Sequence, residues 1–98
     1  MEDKAYRILG MAKRAGKTVT GIDGVVSSVR SGKSFLVIMS SDASDNTKKM
    51  ISDKCRSYGV RLIDTADRDT ISKMTGTENT VAVSVTDRGL ADAIYTVK

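Results

Sequence analysis

Helix-period and strand-period segments alternate from one end of the chain to the other, which predicts an α/β fold: a three-layer α/β/α sandwich around a small mixed four-stranded sheet. Two further observations carry that expectation. The run Phe35–Ser40 (FLVIMS) is continuously apolar up to its last residue and bounded by Gly32 and by Ser41–Asp42. That is the pattern of a strand buried on both faces, so helices must cover the sheet from both sides. The 98 residues contain no proline, internal repeat, low-complexity stretch or linker, so a single domain is expected. A chain of this size buries roughly 60–65% of the surface that its unfolded form exposes.

The elements follow in order. Asp3–Ala15 reads as a helix with Ala5, Ile8, Leu9, Ala12 and Ala15 on one face, weakened by Gly10 and ended by Gly16. Lys17–Thr20 is short and β-branched, a strand. In Gly16–Gly32 (GKTVTGIDGVVSSVRSG), Ile22, Val25, Val26 and Val29 recur at i, i+3, i+4 and i+7 and draw one buried stripe along a helix between Gly21 and Gly32. Phe35–Ser40 is the buried strand. Ser44 or Asp45 caps a helix running to Tyr58, with Met50, Ile51, Cys55 and Tyr58 inward, and Gly59 ends it. Val60–Ile63 is the next strand. Asp64–Asp69 is a polar turn capping a small helix through Met74, which Gly76 stops. Thr77–Thr80 is a loop, Val81–Val85 the last strand, and Asp87–Val97 a closing helix with Leu90, Ala91, Ile94 and Tyr95 inward.

The net charge of +4 is localised. Residues 1–33 carry seven basic side chains against three acidic ones, whereas the remaining residues carry nine of each. A local positive field is the footprint of a polyanion binder. Its plain alternative is a solvated surface with a basic bias. No histidine exists, which removes the usual general base, the Ser-His and Cys-His pairs, and most transition-metal sites. Cys55, the single cysteine, falls on an apolar helix face as a core residue. The apolar run Phe35–Met39 is far too short to span a membrane, and the opening MEDKAYRILG is amphipathic rather than a secretory signal, so the expected location is the cytoplasm.

Several short motifs fail on inspection. The GKT at Gly16–Thr18 and the GKS at Gly32–Ser34 lack the earlier glycine of a phosphate-binding loop, having Met11 and Ser27 in its place. GIDG at Gly21–Gly24 has the glycine spacing of a single-strand clamp, a weak signal over four residues. Asp64, Asp67 and Asp69 lack the spacing of a calcium loop and read as turn and helix cap. With one Phe and three Tyr, and with Phe35 and Tyr58 expected inside, no aromatic stacking platform is expected. Backbone and shape recognition by a helix end, loops and Lys/Arg remains. On that reading the positive end of the second helix and Gly21/Gly24 admit phosphates, while Arg14, Lys17, Arg30 and Lys33 position the duplex.

The order of RAGKTVTG at Arg14–Gly21, SGKSFLVIMSSDAS at Ser31–Ser44, Gly59–Ile63, RDTISKMTG at Arg68–Gly76 and VAVSVTD at Val81–Asp87 resembles the kink-turn-binding ribosomal protein superfamily. Within it, the chain is most similar to the small bacterial YlxQ-type members, notably over SSDASDNTKK at Ser40–Lys49. The resemblance covers essentially the whole chain. It implies an α/β/α sandwich and no catalysis; no cofactor or metal is expected. It also implies RNA binding by the start of the second helix beside tandem G·A pairs, and by the loop before the last strand over an extruded base. Carried over, the helix element falls on Gly21, Ile22, Asp23, Gly24 and Ser27, and the loop element on Gly76, Thr77, Glu78 and Asn79. Lys17 matches the lysine of the family's GK turn. Where classical members have Asn, Glu and Lys on the helix face, this chain has Asp23, Gly24 and Ser27.

The function expected is therefore a non-enzymatic protein that binds structured, kink-turn-like RNA in or near the ribosome, as a monomer, with ribosomal or translation proteins as further partners. The alternative is a protein-interaction module that kept the fold and lost kink-turn recognition. A metal-dependent phosphate-ester enzyme using Asp64, Asp67 and Asp69 is a distant third.

Overall fold

The computed structural model describes residues 1–98. Nine elements follow one another: α1 (Asp3–Arg14), β1 (Thr18–Thr20), α2 (Ile22–Arg30), β2 (Leu36–Ser40), α3 (Asp45–Tyr58), β3 (Arg61–Ala66), α4 (Arg68–Thr75), β4 (Ala82–Val85) and α5 (Arg88–Val97). The strands form one sheet in the order β1-β4-β2-β3. β4 pairs antiparallel with β1 and with β2, whereas β2 and β3 are parallel, so the sheet is mixed.

All five residues of β2 are buried, and its four apolar side chains divide between two cores. Leu36 and Ile38 join Ile63, Val83 and Val85 under α1, α4 and α5, contributing to a cluster with Leu9, Ile71 and Ile94. Val37 and Met39 join Ala82 under α2 and α3, against Val25, Val29, Ile51 and Cys55. The period-2 pleat thus serves two helix layers at once. Helix ends are set locally. Ser44, Asp67 and Asp87 cap α3, α4 and α5 by accepting from the amides of Thr47, Thr70 and Leu90 at 3.2, 3.0 and 2.8 Å.

Several expected details change. β3 continues to Ala66, where a polar turn starting at Asp64 was expected. Its register with β2 slips between Ile38↔Ile63 and Ser40↔Ala66, so one extra residue bulges on β3 and both Asp64 and Thr65 face outward. Two consecutive exposed polar residues imitate a turn in sequence. On α1 the inner face includes Tyr6 and Gly10, while Ala15 is exposed because the helix ends at Arg14. The Tyr6 hydroxyl accepts the Asp67 amide hydrogen at 2.7 Å, tying α1 to the start of α4. A Cβ on Gly10 would lie 3.4 Å from the Met74 sulfur, so the small residue lets α1 and α4 approach. Met50 and Tyr58, expected inward on α3, are 39% and 51% exposed. Only the narrow stripe of Ile51 and Cys55 on α3 is buried, because α3 packs on α2 and the sheet without a helix on its other flank. Ile8, Ile22, Val26, Phe35, Leu90 and Tyr95 are half-buried.

Gly24 has a packing reason of its own. α2 lies so close over β1 that a Cβ at Gly24 would sit 2.8 Å from Val19 Cγ1, on a stiff β-branched side chain. Helix propensity favours alanine over glycine by about 1 kcal/mol, and overpacking costs about 1–3 kcal/mol. Gly24→Ala is therefore expected to lower the melting temperature, whereas in a Val19→Ala background the same substitution raises it. Calorimetry over the four-member cycle reads the sign. Burial pushes the Cys55 thiol up to about 11. At pH 8 it is expected to resist iodoacetamide in the folded protein and to alkylate only in denaturant, as mass spectrometry would report.

Candidate nucleic-acid interface

The start of α2 and the α4–β4 connection meet at one end of the sheet. β1 ends at Thr20, paired with Val83, and the Gly21 amide bonds the Ala82 carbonyl at 3.3 Å. Gly21 turns the chain into the helix at φ +89°, a left-hand region that side-chain-bearing residues rarely occupy. No side chain caps α2, so its first-turn amides remain as donors. Opposite them, α4 ends at Gly76 in a left-handed turn (φ +69°), and Asn79 also takes a positive φ of 51°. Hydroxyls stitch this connection to α4. Thr75 Oγ1 donates to the Ile71 carbonyl at 2.8 Å and meets Thr77 Oγ1 at 2.9 Å, which in turn meets Thr80 Oγ1. The Thr80 amide bonds Ser72 Oγ at 3.0 Å. The loop is preformed.

Between the two lies a shallow concavity of about 480 Å3, lined by Thr20, Gly21, Ile22, Asp23 and Thr77–Val81. Of the residues expected at RNA, it brings together Gly21, Ile22 and Asp23 with Thr77, Glu78 and Asn79. Gly76 is exposed beside it, and Gly24 is turned toward Val19. Ser27 lies one turn further along α2, in a neighbouring groove with Asp23, Val26, Arg30, Met50 and Tyr58. Thr20, Thr80 and Val81 were not expected to line the site. They do so because β1 and β4 are neighbours, a pairing that short-range patterns do not reveal.

The basic residues are elsewhere. Thr18 pairs with Val85, and the Lys17 carbonyl accepts from the Thr86 amide at 2.9 Å, at the opposite end of the sheet. α2 runs back over β1 for nine residues, about 13 Å, so Arg30 and Lys33 also lie at that far end, where β2 begins. Arg14 closes α1 there. Arg14, Lys17, Arg30 and Lys33, expected to position the duplex, are thus set apart from the helix start, because the helix and strand that join them to it are antiparallel spacers.

Charge at the concavity itself is acidic in side chains and positive in backbone. Asp23 and Glu78 are its only charged lining residues, set against the partial positive charge of roughly half a unit at the α2 N-terminus. Lys73 shares the adjoining hollow with Asp69 and Glu78. Asp64, Asp67 and Asp69 do not form a metal-holding cluster. The Asp67 carboxylate is occupied in capping α4, where the Thr70 hydroxyl and amide hold its pKa below the ordinary value. Asp42 is also lowered, by the Ser40 hydroxyl and by Arg68 at 3.2 Å. No helix is long and apolar enough to cross a membrane.

Similar proteins share this frame. The chain is 37% identical over 92 residues to RNA-binding protein YlxQ of Bacillus subtilis, covering 94% of this chain and 92% of that one. It is 35% identical over 88 residues to the protein of the same name from Enterococcus faecium, covering 90% and 84%. A solved structure of a Bacillus halodurans protein of unknown function superposes with a TM-score of 0.93 at 35% identity, over 98% of this chain and 97% of that one. The Giardia lamblia 15.5 kD RNA binding protein has the same fold, with a TM-score of 0.82 at 16% identity over 96% and 81% of the two chains. The sequence pattern of one family matches residues 3–95. The chain belongs to the ribosomal protein L7Ae/L30e/S12e/Gadd45 family.

Proposed function

We propose that this protein is a non-enzymatic RNA-binding protein that recognises structured, kink-turn-like RNA in the cytoplasm, in association with the ribosome or with translation proteins. The observation that carries the reading is the single concavity in which the uncapped start of α2 faces the preformed Thr77–Val81 loop. Relatives named for RNA binding support it. The α2 amides and Gly21 let phosphates approach the backbone, Ile22 offers an apolar contact, and the loop lies where an extruded base would be covered. At this concavity the remote cations Arg14, Lys17, Arg30 and Lys33 contribute long-range attraction rather than contacts. A second reading, a protein-interaction module with the same fold, is favoured by Asp23 and Glu78, the only charged side chains lining the concavity. RNase treatment during affinity capture separates them, since protein partners survive digestion.

Ionised Asp23 can only accept hydrogen bonds, whereas asparagine also donates, as the acceptor edge of guanine requires. Asp23→Asn is therefore expected to tighten binding to a kink-turn RNA by roughly tenfold. Titration against that RNA, beside the same RNA with its G·A pairs replaced by Watson–Crick pairs, tests the reading. The kink-turn form is expected to bind more tightly; equal affinity for both overturns kink-turn recognition. Binding is also expected to weaken steeply as salt rises, and a salt-independent constant would sink the phosphate-contact mechanism.

A further inference from the structure

At the end of the sheet away from the proposed kink-turn site, the C-terminal ends of α2 and α3 and the start of α5 enclose a second cleft. Its volume is about 450 Å3, and its lining includes Arg30, Phe35, Tyr58, Arg61, Arg88 and Asp92. We infer that this cleft binds a single-stranded RNA segment, with phosphates on Arg30 and Arg88 and an unpaired base stacked on Tyr58. The inference rests on the reading of the protein as RNA-binding and adds a site that the kink-turn reading does not use.

Four observations support it. The molecule has three ion pairs, Arg56–Asp53, Arg61–Asp92 and Arg68–Asp42, so Arg30 and Arg88 have no carboxylate partner. Both are exposed. The Arg88 guanidinium lies over the Phe35 ring, 5.2 Å from its centroid, and Arg61 lies 4.5 Å over Tyr95 while bonding Asp92. These stacks hold the guanidiniums at the cleft and reduce the freedom lost on binding. Tyr58 is 51% exposed and lines both this cleft and the neighbouring α2–α3 groove, so its ring is available at their junction.

Opposing charge is present but smaller. Asp92 is already paired with Arg61. The two helix C-termini contribute roughly half a negative charge each. Arg30 and Arg88 outweigh them, and Lys33 stands beside the lining residues Gly32 and Ser34. With the Phe35 ring covered by Arg88, Tyr58 is the aromatic ring left open in a basic cleft, which suits an unpaired base, since paired bases in a duplex leave no face free for it.

The test uses the full chain and three probes: a fluorescein-labelled ten-nucleotide uridine strand, a kink-turn hairpin, and that hairpin carrying the strand as a tail. Arg88→Gln is expected to weaken binding of the strand and to reduce its logarithmic salt slope by about 0.7. Tyr58→Ala is expected to weaken the strand roughly tenfold with an unchanged salt slope, and Tyr58→Phe to retain binding. The tail should increase hairpin affinity for the wild type and lose that gain in both weakened variants. Lys4→Gln, on the exposed face of α1, is the charge control, and thermal melts verify folding. Strand binding that is unaltered by Arg88→Gln and Tyr58→Ala, or that falls equally in Lys4→Gln, overturns the proposal. Failure of kink-turn recognition is distinct: it shows as indifference of the tailless hairpin to replacement of its G·A pairs, and leaves the strand result readable.

Discussion

Strand β2 has no face turned to solvent, and the rest of the architecture is a response to that. Leu36, Val37, Ile38 and Met39 project alternately into two cores, each of which needs its own helix layer. Fully burying such a side chain contributes about 1.5–3 kcal/mol, so neither layer can be dispensed with. The same constraint reaches β4, beside β2, whose residues are all buried as well. Ser84 is tolerated inside only because its hydroxyl donates to the buried Ser34 at 2.7 Å.

With both faces of the sheet covered, the ends of the strands are where backbone and loops remain accessible. The two ends differ electrically. The end at which β2 finishes gathers Asp23, Asp42, Asp67, Asp69 and Glu78 around α2, α3 and α4, partly offset by Arg68, Lys73, Lys48 and Lys49. The end at which β2 begins gathers Arg14, Lys17, Arg30, Lys33 and Arg88. An overall charge of +4 conceals this division. The acidic end presents backbone donors and a pinned loop; the basic end presents guanidiniums.

The order of elements and the two-sided burial of β2 were legible because an unbroken apolar run and capping residues are local signals. The β3 bulge was not, since two successive outward residues, Asp64 and Thr65, look like a turn until the partner strand is known. The meeting of Gly21–Asp23 with Thr77–Asn79 followed from family resemblance, whereas nothing periodic in the chain brings those segments together. The placement of the basic residues was misjudged for a geometric reason: residues 14–33 are contiguous in sequence, yet β1 and α2 fold them into a hairpin-like path with its bend at Gly21. Tyr58 was misassigned because helical periodicity predicts which side chains align, not how wide the covering layer is. Gly24, expected with Gly21 to admit phosphates, also has a packing role in the close pass of α2 over Val19.

That bend also makes α2 a rod of fixed length. Its nine residues separate the uncapped helix start from Arg30 by about 13 Å, and buried Val25 and Val29 anchor it to the sheet so that it cannot slide. A single RNA touching both ends of α2 must therefore bridge that fixed distance between its structured part and any unpaired base held beside Arg30. The helix sets not only where contacts fall but how far apart along an RNA they must be.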